Sequence, residues 1–397
     1  MGTHTLSIMT NQYKERNSRV HWRNTLFMSI TLAGTLLGLP VFLWFYASEI
    51  TLWAYALLFV GFFIFSGLSI TLGYHRLFAH MTFKAKWPVR LVTLIGGATA
   101  LEDSALYWCS DHRRHHKHVD HDDDDPYSIT RGFFHAHIGW ILFKEKAYPP
   151  LDNVKDLMKD PLMIWQHKYW LQIGMILGFG LPTLIGYAID GPIGAVAGLL
   201  IGGMARLVCV QHCTFFINSL CHCIGKQPYS SDHTARDSWI MALFTFGEGY
   251  HNYHHEFQYD YRNGVKPWQF DPTKWTVWTL NKLGLVKDLR TVPQEKIMLA
   301  EIKQKQKLLA ERLSKAPHPA SEKAKALFAD AGEKLTEAAR TWESAKHEYG
   351  RALKKKIDVT KEQWAEINAR FEKSVAELRA AIQDWNNAHA QLAGQLA

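Results

Sequence analysis

Four long stretches of the chain carry no Asp, Glu or Lys: residues 25–46, 51–73, 170–189 and 191–211, the last with a lone Arg206. An α-helix rises 1.5 Å per residue, so about 20 apolar residues cross the ~30 Å hydrocarbon core of a bilayer. The pattern predicts four transmembrane helices in two pairs. Ala47–Ile50 joins the first pair, Asp190 and Gly191 join the second, and neither linker holds Lys or Arg. A shorter apolar run, Leu91–Leu101, contains the adjacent Gly96 and Gly97. It is too short to span and predicts an interfacial or re-entrant helix.

Beyond about residue 295 the apolar stretches stop. Phe328, Ala331, Leu335, Ala338, Trp342, Ala345, Tyr349 and Ala352 alternate three and four apart. A second series follows a capping box at Thr360-x-x-Gln363: Trp364, Ile367, Phe371, Ser374, Leu378, Ala381, Trp385, Ala388 and Leu392. Two heptad-patterned helices of similar length predict an antiparallel hairpin over 322–397. Residues 295–321 supply a helix and a linker, Ser314–Ser321, that contains Pro317 and Pro319. Residues 1–294 form the membrane domain. Two helices leave wide apolar faces, so a self-packed appendage and a docking or oligomerisation module both stay open for the tail.

Charge orients the spans. Lys14, Arg16, Arg19 and Arg23 precede the first, and the loop from 74 to 169 is rich in Lys and Arg. Cationic loops stay cytosolic, which places both termini and the long loop on that face. The first 24 residues are polar and basic, so no cleavable signal peptide is expected. A net charge of +8 comes without a basic stripe or nucleic-acid motif. It suits attraction to a membrane surface and predicts no nucleic-acid partner. The five cysteines lie near the inferred cytosolic face or in a span and are expected as reduced thiols. Cys221-His222-Cys223 does not have a zinc-site spacing.

The chemistry lies in histidine. HRLFAH occupies 75–80, DHRRHH 111–116 and HNYHH 251–255. The last two share the spacing His-x-x-His-His, which puts His112, His115 and His116, and likewise His251, His254 and His255, on one helical face. Neutral imidazole is the commonest protein ligand for iron, zinc and copper, so such clustering points to metal. His75 and His80 are five apart, about 140° on an ideal helix, and could share a site only if the second span ends between them. Asn218 and His222, four apart, follow the fourth span on one face. Nine imidazoles exceed one ion's four to six ligands and suit two. Asp111 and Glu248 are candidates to orient ligand imidazoles through their second nitrogen, and Asn218 to act through water. His118, His121, His135, His137, His212 and His233 are expected to be structural or exposed, and His121–Asp125 to be a solvated loop.

GYHRLFAH, DHRRHHKH, RGFFHAHIGW, FINSLCH and GEGYHNYHHEFQYDYRNG together resemble the membrane-bound fatty acyl desaturases, most nearly the stearoyl-CoA (delta-9) type, over about residues 20–290. The resemblance implies an all-α membrane protein whose four spans form a stem beneath a cytosolic, histidine-rich catalytic cap. It further implies two iron ions held by His75, His80, His112, His115, His116, His222, His251, His254 and His255, with Asn218 contacting one ion through water. The implied reaction is O2-dependent introduction of a cis double bond, of delta-9 type, into a saturated acyl chain. Saturated methylenes have no acidic proton, so a cofactor that activates O2 must carry the difficult step. Ser66 and Gly67, in the span leading to His75, and Trp108 and Trp140 are candidates to line the acyl site. For Ser66 and Gly67 the alternative is ordinary small-residue helix packing.

The resemblance is incomplete where the acyl-CoA enzymes bind the CoA head group. There Ser110, Asp103 and Lys144 stand in place of arginine, asparagine and arginine. Fewer cationic partners for phosphate leave acyl-CoA, an acyl lipid and acyl carrier protein open as substrate forms. No fused haem domain or four-cysteine iron–sulfur pattern is present in the chain, so electrons are expected from a separate ferredoxin, rubredoxin or cytochrome b type carrier. The expected location is a bacterial inner membrane, or the endoplasmic reticulum membrane in a eukaryote. A membrane diiron alkane or fatty-acyl hydroxylase is the rival within the same chemistry. A metal transporter would place its ligands within the spans as a pathway, whereas these clusters are expected beyond the span ends.

Overall fold

The computed structural model describes residues 19–144, 151–315, 322–354 and 360–394. Lys14, Arg16, most of the proline linker, the turn at 355–359 and the Lys144 side chain lie outside the described residues. Three helices among them are long and apolar enough to cross a membrane: α1 (Trp22–Glu49), α2 (Leu52–Ala79) and a later 63-residue stretch, Pro161–Cys223. Between α2 and that stretch come α3 (Trp87–Ala98) and α4 (Ala105–His118). Numbering Pro161–Cys223 as α5, the chain continues through α6 (Trp239–Phe244), α7 (His251–Glu256) and α8 (Pro272–Lys282). Four two-residue strands, β1 (Arg19–Val20), β2 (Lys84–Ala85), β3 (Phe143–Lys144) and β4 (Val286–Lys287), pair antiparallel as β1–β3 and β2–β4.

The third apolar helix is not straight. Asp190 (φ −129°, ψ 25°) and Gly191 (φ 64°, ψ −147°) leave helical geometry, and the positive φ is one that glycine adopts without a Cβ clash. The two arms pack backbone against backbone: a Cβ on Gly186 would strike the Gly194 carbonyl, and one on Gly198 would strike that of Pro182. Asp190 also ties this bend to the start of α2. Its carboxylate accepts hydrogen bonds from Thr51 N (2.8 Å), Thr51 Oγ1 (2.9 Å) and Tyr55 Oη (2.9 Å).

Arg206 is fully buried among apolar helices, and backbone chemistry explains it. Pro182 has no N–H, so the carbonyl of Gly178, four residues earlier, lacks its helical donor. That carbonyl accepts from Arg206 Nη2 at 2.7 Å. Helix α3 ends inside the protein, where its last carbonyls have no water. Thr99 O accepts from Arg206 Nη1 (2.7 Å), while Ala100 O and Leu101 O accept from Gln211 Nε2 (3.1 and 3.3 Å). A cation at a helix C-terminus also opposes the helix dipole. Helix α3 is packed against the end of α2 and against α5, with Leu94, Gly96 and Gly97 buried.

Residues from Val292 onward form a separate compact unit of three helices, α9 (Gln294–Lys315), α10 (Glu322–Lys354) and α11 (Lys361–Gly394). Phe328 meets Trp385 and Tyr349 meets Phe371, so α10 and α11 run antiparallel. Thr360 and Gln363 exchange two hydrogen bonds of 3.0 and 3.2 Å at the start of α11. The expected helix and linker region does more than precede the pair. Ile302 of α9 enters the core of Leu335, Trp342, Leu378, Ile382 and Trp385, and Arg379 pairs with Glu295 at 2.7 Å. Two indoles need more apolar cover than two helices supply, and α9 completes it.

The glycine contacts of α5 generate a direct test. Gly194→Val places a side chain against the Gly186 carbonyl and the Tyr55 hydroxyl, and is expected to cost about 3 kcal/mol. Unfolding midpoints in detergent check this; a change below about 0.5 kcal/mol would mean that the arms do not touch there.

Candidate metal centre

Helix α2 does not end between His75 and His80. It widens instead: Ser69–Ala79 is a π-helix, and His80 N donates to His75 O at 3.1 Å. Hydrogen bonds from i+5 to i bring positions five apart onto neighbouring faces, which an α-helix of 3.6 residues per turn would splay. The two imidazoles consequently lie 4.8 Å apart, centre to centre. Helix α4 presents His112, His115 and His116, α5 presents His222 on its last turn, and α7 presents His251, His254 and His255.

These nine side chains form two groups. His75, His80, His112, His116 and His254 make one, and His115, His222, His251 and His255 the other; within each group the ligand atoms lie within 4.8 Å of one another. The Nε2 atoms face inward. His254 Nε2 is 3.0 Å from that of His75 and 2.9 Å from that of His116, and His80 and His112 approach to 2.7 Å. In the second group His251 Nε2 lies 3.1 Å from both His222 and His255.

The outer nitrogens decide what the inner ones can be. His75 Nδ1 is 2.8 Å from Glu248 Oε2, and His115 Nδ1 is 2.9 Å from Asp125 Oδ1. Carboxylates only accept, so the Nδ1 facing each one is the N–H side of the ring and Nε2 is turned inward, where it can serve as a metal ligand. His222 Nδ1 meets Thr234 Oγ1 at 2.7 Å, and that hydroxyl donates to Asp120 Oδ1 at 2.6 Å. Tyr127 Oη approaches His112 Nδ1 at 3.3 Å. Burial first, and then the neighbouring imidazoles, push His80, His112, His116, His251, His254 and His255 well below the ordinary histidine range, so they are neutral. Converging lone pairs repel unless a cation lies between them. The donor set therefore fits two borderline metal ions with nitrogen ligation.

Of the two carboxylates expected behind the ligands, Glu248 occupies such a position. Burial alone would raise its carboxyl, but Arg76 and His75 outweigh burial and hold it low. Asp111 instead lines a neighbouring cavity, and Asp125 stands behind His115. Asp125 belongs to the run expected to be solvated, yet it is buried while His121 and Asp122–Asp124 are exposed. Its position directly before Pro126 is the one local signal that sets it apart. Tyr127, Thr234 and Asp120 carry no motif, because they meet the histidines only through the fold. Among the remaining histidines, His137 Nε2 pairs with His212 Nδ1 at 3.0 Å, His135 is buried, and the ring of His233 lies 5.1 Å from that of His255.

A cavity of about 270 Å³ opens beside both groups. His75, His112, His115 and His251 reach its wall, as do Phe63, Gly67, Ile70, Trp108, Trp140, Asn218 and Phe246. Ser66 is turned away: its hydroxyl is 2.7 Å from Thr99 Oγ1 and accepts from Arg206 Nη1 at 3.4 Å. Trp108 stacks on His112 with centroids 4.9 Å apart and donates to Glu102 Oε2 at 3.3 Å. Arg23, Asn24 and Asp103 also line the cavity. Ser110 is buried and bonded to Asn153 Oδ1 at 2.7 Å.

Comparison with known proteins matches residues 51–279 to the model of the family described as fatty acid desaturase. Acyl-CoA desaturase 1 of Saccharomyces cerevisiae is 40% identical over 283 residues, covering 70% of this chain and 55% of the yeast protein. Stearoyl-CoA desaturase of Sus scrofa is 32% identical, covering 71% of this chain and 77% of its own length. The sn-2 palmitoyl-lipid 9-desaturase of Nostoc sp. is 32% identical, with 70% and 93% covered. The chain thus spans little more than half the length of the yeast relative.

Glu102 generates a prediction about pH. Burial pushes its carboxyl up to about 8, against hydrogen bonds from Thr214 and Trp108 that act to lower it. An unfolded glutamate ionises near 4.3, so between about pH 4.3 and pH 8 the folded chain holds a proton that the unfolded chain has lost. Stability contributed by this group therefore falls as pH rises across that window and levels off above it. Glu102→Gln should remove the fall, raising the melting temperature by a few degrees relative to wild type near pH 8 and little near pH 5. Parallel melting curves at both values would refute the assignment.

Proposed function

The chain belongs to the fatty acid desaturase family, and we propose that it is an O2-dependent fatty acyl desaturase of delta-9 type acting through a histidine-held diiron centre. The observation that carries this reading is the pair of inward-facing imidazole groups at the wall of one largely apolar cavity. Iron, when bound, supplies the O2 activation that removal of hydrogen from an unactivated methylene requires. His75, His80, His112, His116 and His254 would hold one ion; His115, His222, His251 and His255 would hold the other, with Asn218 acting through water. Glu248, Asp125 and the Asp120–Thr234 pair keep the Nδ1 protons in place, which fixes ring orientation and leaves Nε2 free for metal. Phe63, Ile70 and Phe246 exclude water from the acyl chain, and Trp108 and Trp140 shape the cavity beside the histidines.

The same reading takes the two arms of α5 as separate spans, giving four with α1 and α2. The Asp190 bend and the α1–α2 turn share one end, tied by Thr51 and Tyr55. The histidine groups belong to the opposite ends of these helices, and the basic loop beside them supports a cytosolic side for this end. The substrate is a saturated acyl chain carried on CoA or a lipid, two forms that the names of the relatives include. Electrons come from a separate carrier. Desaturation is favoured over hydroxylation because the matched relatives are named as desaturases.

Expression in a host unable to make unsaturated fatty acids tests this. The full chain should bind two metal ions and yield cis-9 monounsaturated acyl chains. His254→Ala, which removes an imidazole shared between His75 and His116, should cut product at least about 100-fold and lower metal content while the protein still inserts. Hydroxylated products, or full activity in His254→Ala, would overturn the proposal.

Gly67 tests the acyl path. It lines the cavity, and a side chain there would strike the Phe246 ring. Gly67→Phe should shift products toward shorter chains, changing the long-to-short ratio roughly tenfold. An unchanged profile in gas chromatography of the products would remove Gly67 from the acyl path.

A further inference from the structure

His233 stands beside the smaller histidine group and is used by nothing described so far. Its ring centre lies 5.1 Å from that of His255. Ring centres within the four-histidine group are separated by 4.5–5.5 Å, so His233 keeps the spacing of a member. It lies within electrostatic reach of the other three, His115, His222 and His251. Both of its ring nitrogens are out of contact with solvent, and neither has a hydrogen-bond partner among the described residues. An imidazole of intermediate exposure whose two nitrogens are both shielded and idle costs free energy unless something is bound there. Its neighbour Thr234 already holds His222 in place, so the segment is built against this group. The other group has five imidazoles where this one has four. The His233 nitrogens lie outside the set whose ligand atoms fall within 4.8 Å of one another, so a side-chain rotation is needed to join it.

We propose that His233 is the tenth imidazole of the centre, swinging in as a fifth nitrogen donor to the ion held by His115, His222, His251 and His255. This rests on the two-ion reading above and goes beyond it, since the nine-histidine pattern leaves His233 out. No electron transfer or bond cleavage is involved; the imidazole lone pair is donated to the ion.

The test uses the full chain in detergent, loaded with two Fe(II) or Co(II) ions, and reads metal retention rather than turnover. Under chelator competition, His233→Phe should release one of the two ions at least about tenfold more readily and leave the other unchanged. With Co(II), His233→Cys should show a thiolate-to-cobalt absorption band in the near ultraviolet, a measurement that stands if the Phe variant does not fold. Unchanged retention of both ions, or a Cys variant without that band, overturns the assignment. A wild-type chain that holds fewer than two ions would overturn the two-ion reading itself, which the wild-type control separates from failure at His233.

Discussion

Arg76 is buried one residue after the first histidine, and much of the site is arranged around its charge. Its guanidinium donates to Glu248 Oε1 at 2.8 and 3.0 Å, to Asp271 Oδ2 at 3.1 Å and to the carbonyl of Tyr261 at 2.8 Å. A cation taken out of water is tolerable only with such complete pairing. Each partner has a second task. Glu248 holds His75, and Asp271 caps α8 through Lys274 N at 2.8 Å while accepting from Asn263 N and Gly264 N. The network fastens the end of α2 to the segment that follows α6. Removal of either carboxylate would strand the charge, and losses of this kind run to about 3–5 kcal/mol.

Arg113 plays a parallel part behind His80 and His112. It donates to the carbonyls of Phe78 and Ala79 at 2.9 Å each, and its paired contacts with Asp156 are 2.7 and 2.9 Å. Phe78 and Ala79 end the helix, where the last carbonyls have no intrahelical donor, and an arginine from α4 supplies donors. Deeper in the protein, Arg206 does the same for Gly178 and Thr99. Three guanidiniums thus pair with backbone carbonyls at the places where the histidines, the end of α3 and the bent α5 depart from ideal geometry.

Irregular backbone also explains how four helices can aim nine rings inward. His75 and His80 converge because the helix widens, whereas the His-x-x-His-His triplets need only ordinary helical spacing. The acids and hydroxyls behind the rings then fix which nitrogen is bare. A cavity shared by both groups sets an apolar wall of Phe63, Ile70 and Phe246 beside the histidines.

Sequence alone determined the features that depend on local period and composition: apolar stretches, the paired turns, the two histidine triplets and the heptads of the tail. These are readable because side chains three and four apart share a face whatever the rest of the chain does. Tertiary structure decided what depends on contacts distant in sequence. It divided nine histidines into five and four, placed Asp125 rather than Asp111 behind His115, and turned Ser66 toward Arg206 instead of the cavity. It also set α9 against the two tail helices and His233 against His255. No periodicity marks these choices, because each is a balance of burial and hydrogen bonding settled between segments that meet only when the chain is folded.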